Sequence, residues 1–411
     1  MKYDFLVLGA DGMQGLIVTR FLLEEGYSIF AADLYNSKII NLLKKYNRNK
    51  SHFSYIDLRN IEATTKIIKK SGTDVVINCA DMYWNLNVFK ACLSAQTNCV
   101  DLGSWIELTR AQINTNKLFK KIGKTAITGC GSVPGIGNIM LKYASAQFDL
   151  IESVDVGFAW NSNIKKFVIP FSMKSILEEF TYKPRYLKDR EWVEVNPLEI
   201  SFERTFRLVG KQKSFMIQHP ELYTFYHYFK DKGLKNIRFF GGFPTHSLEK
   251  IYSLIDLGFH SDKPIKIKEL NVKIAPLELL NPVLKKLNSP PGYTESENLW
   301  VDIMGYRNNQ KHSVRMECIV PPIRGWESAG CNIDTGFPAS IIAQMIKDGR
   351  INTPGSFAPE GIVPEEEFFK EITAKGMAIY QDGILIAGEE NYIHNAHRRR
   401  KLRQTEVLLE V

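Results

Sequence analysis

Three glycines, Gly9, Gly12 and Gly15, stand at GxxGxxG spacing directly after the apolar run Phe5 to Leu8, and Asp33 closes a second apolar run, Tyr27 to Ala32. The chemistry that suits this spacing is the holding of a dinucleotide. Gly9 lets the chain turn, Gly12 lets backbone N–H groups approach a pyrophosphate, and Gly15 lets the next helix pack close to the sheet. The N-terminus of that helix, expected over residues 13–25, then faces the phosphates. Asp33 stands where a carboxylate accepts hydrogen bonds from the adenosine ribose hydroxyls and where a 2′-phosphate would meet a like charge. NAD is therefore expected over NADP, with Lys38 and Arg48 as the nearby cations that would favour NADP. Asp11, Met13 and Gln14 complete the expected cofactor-binding turn.

The elements that must position these residues alternate between strand and helix, as a doubly wound parallel sheet requires. Helices are expected near 37–46, 60–71, 85–96, 106–121 and 135–148. They separate apolar runs at His52 to Asp57, Asp74 to Asn78, Cys99 to Asp101 and Lys124 to Thr128, which makes six strands by about residue 130. Ligands of such sheets bind beyond the carboxyl ends of the strands, so Gly9, Asp33, Asp57, Asn78 and Asp101 should line one edge. Asp57 is expected near the adenine, and Asn78, Cys79 and Ala80 near the second ribose and the nicotinamide. Asp101, with Gly103, Ser104 and Trp105, is expected near the substrate.

From residue 151 the texture changes to segments rich in aromatic and β-branched residues: Ile151 to Ala159, Glu203 to Val209, Trp300 to Tyr306 and Ser313 to Val320. They suggest an antiparallel sheet in a second, α+β domain. A helical pattern returns near Thr335, with Pro338 suited to a first turn and Gly349 to a C-cap. The six cysteines lack CxxC pairs and histidine clusters, so neither a metal site nor a disulfide framework is expected. The 411-residue chain carries a formal charge of +8, but its lysines and arginines are spread out, apart from a basic tail at His397 to Arg403, and nucleic acid is not expected as a partner. No leader precedes the first strand and no run approaches the roughly 18 apolar residues of a membrane span, so a soluble cytoplasmic protein is expected.

Six motifs in order resemble the saccharopine dehydrogenase family, most closely its lysine 6-dehydrogenase type. They are the Gly9-Ala-Asp-Gly-Met-Gln-Gly15 turn, Val75-Val-Ile-Asn78, Cys99-Val-Asp-Leu-Gly103, Gly129-Cys-Gly-Ser-Val-Pro-Gly-Ile-Gly137, Lys235-Asn-Ile-Arg-Phe-Phe-Gly241, and Ala343 to Gly349 with Ile362-Val-Pro364. The resemblance implies a Rossmann-type dinucleotide-binding domain at 1–130, an inserted α+β catalytic domain at 131–334, and a return to the first domain at 335–411 with the basic tail. It also implies hydride transfer at an amino-acid C–N bond and a homodimer or larger homo-oligomer. Val133 stands beside the cofactor where saccharopine reductases carry an Asp, and Arg238-Phe-Phe-Gly-Gly242 lacks the family's His. Ser104 and Trp105 match a Ser-Tyr pair near the substrate, with Trp replacing Tyr.

Oxidising an amine by hydride loss needs the neutral amine, and an ammonium of pKa near 10.4 sets roughly 4–5 kcal/mol against this at pH 7. Asp101 by its position, and Tyr83 just past the fourth strand, are the candidates to take that proton. His219 and His246 are expected as packed or surface histidines. Arg238 is the expected clamp for a substrate α-carboxylate. Arg185, Arg204 and Arg207 keep a larger substrate with two carboxylates in play. The leading expectation is NAD-dependent oxidation of lysine at its ε-carbon. An NADP-linked reductase forming saccharopine or carboxynorspermidine, and a nucleotide sensor without turnover, are the alternatives.

Overall fold

The computed structural model describes residues 2–46, 51–169, 172–284, 287 and 289–389. Arg48 and the basic tail lie outside the described residues. Six short strands open the chain: β1 (Phe5–Leu8), β2 (Ile29–Asp33), β3 (Ser51–Tyr55), β4 (Val75–Asn78), β5 (Asn98–Asp101) and β6 (Thr125–Ile127). β1, β4 and β6 are buried along their whole length, as strands covered by helices on both faces must be. With Gly355–Phe357 they form one parallel sheet in the order Gly355–Phe357, β6, β5, β4, β1, β2, β3. Phe5 lies opposite Ile29 on one side and Val75 on the other, so β1 is an inner strand and the order reverses between it and β4. A ligand crevice belongs at that switch point.

The helices form where expected, with one exception. The segment expected as one helix over 106–121 is two, Ile106–Ile113 and Asn116–Lys121. The Thr115 hydroxyl donates to the Gln112 carbonyl at 2.6 Å, a local alternative to the helical ladder at the break.

The second sheet is mixed. Strand Leu150–Ser162 pairs antiparallel with Glu295–Arg307, which pairs antiparallel with Gln310–Val320. The hairpin between the last two turns on Asn308 and Asn309, both with positive φ, a conformation asparagine tolerates better than most residues. The sheet is antiparallel at these strands, as expected, but Asn236–Gly242 runs parallel to Leu150–Ser162 with Arg238 opposite Asp155. The crossover that allows this includes helices Met173–Thr181 and Glu221–Phe229.

Helix Ile333–Lys347 packs on helix Met13–Glu24 of the first sheet, and the sheet gains its seventh strand at Gly355–Phe357, where Ser356 lies opposite Ala126. Pro338 lies inside this helix and not in its first turn, because the helix starts earlier, at Ile333. Strands Ala378–Gln381 and Ile384–Ala387 then extend the second sheet beside Gln310–Val320. One continuous apolar core joins the two sheets, running from Phe5 and Ile17 through Ile139 and Met140 to Val156 and Phe239. No helix among the described residues is long and apolar enough to cross a membrane.

Candidate functional site at the strand ends and the facing wall

The glycine turn is built with no spare room. Gly9 has φ +71°, and a Cβ there would lie 2.5 Å from the Ala80 backbone nitrogen. A Cβ on Gly15 would lie 2.0 Å from the Gly9 carbonyl oxygen, so only glycine lets the helix Met13–Glu24 start this close to β1. Gly12 caps that helix without a side-chain hydrogen bond, and its first turn carries no acidic residue. Its leading N–H groups and the positive end of its dipole are thus suited to a phosphate. Asp33, at the end of β2, accepts the Asp11 N–H at 2.8 Å and the Tyr35 N–H at 3.1 Å. These residues fit a dinucleotide.

Two members of the expected turn have other employment. The Asp11 carboxylate accepts the Lys38 and Ile39 N–H groups at 2.7 Å each and the Ser37 hydroxyl at 2.9 Å, capping the helix Ile39–Tyr46. Burial opposes its ionisation, but these donors outweigh burial and hold the carboxyl below its usual range. Gln14 reaches the opposite way and donates to Asn332 at 3.2 Å, just before the helix Ile333–Lys347. Met13 is about half exposed beside them. Asp57, just beyond β3, is half-buried and paired to Arg59, whose Nε donates at 2.9 Å.

Asp101 ends β5 with no exposed surface, and it accepts from Gly103 N at 2.8 Å, Gly129 N at 3.1 Å, Thr128 Oγ1 at 2.9 Å and the Gln112 side chain. Burial raises its pKa and the four donors oppose that rise. A carboxylate with this many partners braces the turns after β5 and β6, and it offers no oxygen to a substrate. Ser104 belongs to the same network through Thr109 Oγ1 at 3.0 Å and Gln112 Oε1 at 3.2 Å. Both residues, expected near the substrate, are thus engaged in this buried network. Trp105, half-buried, follows as the N-cap of helix Ile106–Ile113. Asn78 is buried and donates to Asn85 Oδ1 at 2.8 Å, and Asn85 in turn holds the Gly103 carbonyl at 2.9 Å. Cys79 and Ala80 pass directly under Gly9. Val133 is buried against Gly137 in the main core.

Facing these loops stands a wall from the second domain. Tyr83, 44% exposed, accepts from Lys174 Nζ at 3.2 Å, and the ammonium lies 4.7 Å from its ring centroid. Arg185 donates to Glu107 at 2.6 Å and to Gln218 at 3.3 Å, crossing from the second domain to the helix after Trp105. Between these two bridges lie groups that sequence reasoning missed. Glu178 Oε2 and Glu179 Oε2 are buried with no hydrogen-bond partner. Burial pushes Glu179 up to about 7, with His219 opposing the rise and Glu178 adding to it. Burial likewise raises Glu178, against the attraction of Lys174 3.9 Å away. The signal in the sequence was only an adjacent acidic pair on a helix, which usually marks a solvated face. His219 is also here and not a mere packing residue: its Nδ1 meets Glu221 Oε2 at 2.5 Å.

Arg238 is not brought to this group. Its guanidinium is committed to Asp155, with Nε donating at 2.8 Å. It shares a sheet face with Phe240, whereas Ile237 and Phe239 face the core that joins the domains. Arg204 pairs with Asp302 at 2.7 Å on that same outer face, and Arg207 donates to the Gly383 carbonyl at 3.2 Å. His246 contacts Ser162 at 3.3 Å.

Residues 5–127 match the model of the saccharopine dehydrogenase NADP binding domain, and residues 131–377 match that of the saccharopine dehydrogenase C-terminal domain. The chain belongs to the saccharopine dehydrogenase family. It is similar to carboxyaminopropylagmatine dehydrogenase of Synechocystis sp., 24% identical over 380 residues that cover 88% of this chain and 93% of that protein. It is also similar to carboxynorspermidine synthase of Vibrio cholerae, 26% identical over 352 residues, 80% of this chain and 83% of that one. The saccharopine dehydrogenase (L-Glu forming) of Saccharomyces cerevisiae shares the fold, with a TM-score of 0.72 at 15% identity over 94% of this chain and all of that one. This member of the family is thus an oxidoreductase that uses a nicotinamide dinucleotide on amine substrates.

Proposed function

We propose that this protein makes or oxidises the secondary-amine C–N bond of a carboxylated polyamine, the reductase alternative raised by the sequence, in preference to the ε-amine of lysine. The observation that carries this is the pair of buried, partnerless carboxylate oxygens on Glu178 and Glu179, in the wall opposite the strand ends. A buried carboxylate oxygen without a donor is costly unless a ligand supplies one, and a chain bearing several ammonium groups supplies it. Lysine offers one distal ammonium and an α-carboxylate, yet Arg238, the expected carboxylate clamp, is already tied to Asp155. Arg185, a cation in the wall beside Lys174, is likewise paired, to Glu107 at 2.6 Å, and on this reading it exchanges that partner for the carboxylate end of the substrate. The names of the two relatives, both acting on carboxylated polyamines, support the same reading.

A bound nicotinamide dinucleotide supplies or accepts the hydride. Asp33 holds its carboxylate at the end of β2, where a 2′-phosphate would be repelled, so the proposed cofactor is NAD. The test follows the absorbance of the reduced cofactor with purified protein, NAD or NADP, and carboxynorspermidine, L-lysine or saccharopine. Carboxynorspermidine should give the highest kcat/KM. Glu178→Gln with Glu179→Gln should raise its KM by about 10²–10⁴-fold, since two charge-assisted hydrogen bonds are lost and each is worth roughly 1.5–3 kcal/mol. Faster turnover of lysine by the wild type would rule the reading out.

A further inference from the structure

We infer that His219 is the general acid–base group of this enzyme, oriented by Glu221, and that its Nε2 exchanges the proton of the substrate nitrogen. The inference rests on the proposed amine chemistry and goes beyond it, because neither expected candidate for the base is suited to the task. Asp101 has no exposed surface and all its acceptor positions face donors within the first domain. Tyr83 is held by Lys174.

Two contacts fix the imidazole. Nδ1 donates to Glu221 Oε2 at 2.5 Å, which sets the tautomer and leaves Nε2 as the open nitrogen. The ring stacks on Phe239 with centroids 4.1 Å apart and planes 21° apart, so it cannot swing. The Glu221 side chain is fully buried, whereas that of His219 keeps 21% of its surface exposed. A buried carboxylate holding one ring nitrogen of a histidine whose side chain is not fully buried is an arrangement suited to proton transfer at the other nitrogen.

The ring also lies within the wall already described. Gln218, its chain neighbour, binds Arg185, which bridges to Glu107 beside Trp105. The charged groups that face His219 are Glu221 from its own segment and Glu179 from helix Met173–Thr181; strand Asn236–Gly242 presents Phe239. Burial works against the charged ring, but the attraction and hydrogen bond of Glu221, with Glu179 adding, outweigh it and hold the imidazole above its usual range.

In amine oxidation, neutral His219 takes a proton from the substrate ammonium. The N–H bond breaks, its electron pair stays on the substrate nitrogen, and the ring becomes imidazolium. The oxidised dinucleotide, when bound, would accept the hydride from the adjacent carbon. In the synthetic direction the same proton returns to the new amine.

The test first identifies which of carboxynorspermidine, saccharopine and L-lysine the wild type oxidises, and then measures kcat/KM against pH with that amine. The wild type should lose activity on the acid side as His219 becomes protonated. His219→Gln should lower kcat by about 10²–10⁴-fold and abolish that acid limb, with NADH binding by fluorescence unchanged. Glu221→Gln should keep the limb and move it to lower pH, because the imidazolium loses its partner. Should His219→Gln fail to bind NADH, the Glu221→Gln profile decides alone, and an unmoved limb overturns the inference. A His219→Gln enzyme that keeps the limb with kcat within about threefold also overturns it. Turnover of lysine alone overturns the polyamine reading while the histidine test proceeds on lysine. No turnover of any of the three overturns both.

Discussion

Gly15 shows most directly how one atom decides whether the cofactor site exists. A Cβ there would stand 2.0 Å from the Gly9 carbonyl oxygen and 2.6 Å from Ala10 Cα, and both are backbone atoms of the turn itself. No rotamer relieves such a clash, so the helix Met13–Glu24 would have to back away from β1 and carry its N-terminal N–H groups with it. Gly15→Ala should therefore cost about 1–3 kcal/mol of stability, the usual range for overpacking, and should also lose NADH affinity. A thermal melt and a fluorescence titration read the two effects separately. If the variant melts lower but binds NADH like the wild type, the helix terminus is not what holds the phosphates.

At the scale of elements, the same helix is clamped from behind by Ile333–Lys347. The contact depends on Gly336, where a Cβ would lie 2.4 Å from Ile17 Cγ2. Gly336→Leu should thus push the two helices apart, lower the melting temperature by the equivalent of about 1–3 kcal/mol, and weaken NADH binding indirectly. Unchanged melting would mean that the return helix does not brace the site. The elements of the first sheet were legible because each is a short apolar run with a local cap or turn, as at Asn60, which accepts the Ala63 N–H at 2.9 Å. The strand Gly355–Phe357 was not legible: its three residues, Gly-Ser-Phe, carry no strand pattern and pair only because β6 offers a free edge. The parallel pairing of Asn236–Gly242 was hidden for a related reason, since direction follows from a crossover and not from composition. Of the site, the glycine turn and Asp33 could be read locally. Glu178, Glu179 and the His219–Glu221 pair could not, because their meaning comes from burial opposite a loop more than 80 positions away, as the 91-residue separation of Tyr83 and Lys174 illustrates. The pairing of Arg238 with Asp155 was not legible because an arginine that ends an apolar run reads the same whether its partner is a substrate or another side chain.

For the whole molecule, the joint between the two sheets carries a buried carboxylate, and this makes stability depend on pH in a predictable sense. Glu360, 4% exposed in the turn after Gly355–Phe357, accepts from Asn138 Nδ2 of helix Ile136–Ser145 at 2.8 Å. Burial pushes it up to about 7, and hydrogen bonds from Thr224, its own backbone and Asn138 oppose the rise. In the unfolded chain a glutamate titrates near 4.3. Between about pH 4 and 7 the folded protein therefore holds a proton that the unfolded chain has released, so this group's contribution to stability falls as pH rises through that window and is level above it. Glu360→Gln cannot ionise and escapes that loss while keeping an oxygen for Asn138. The melting temperature of the variant relative to the wild type should thus rise between pH 5 and pH 8, and a difference that stays constant across that range would mean that Glu360 does not carry a raised pKa.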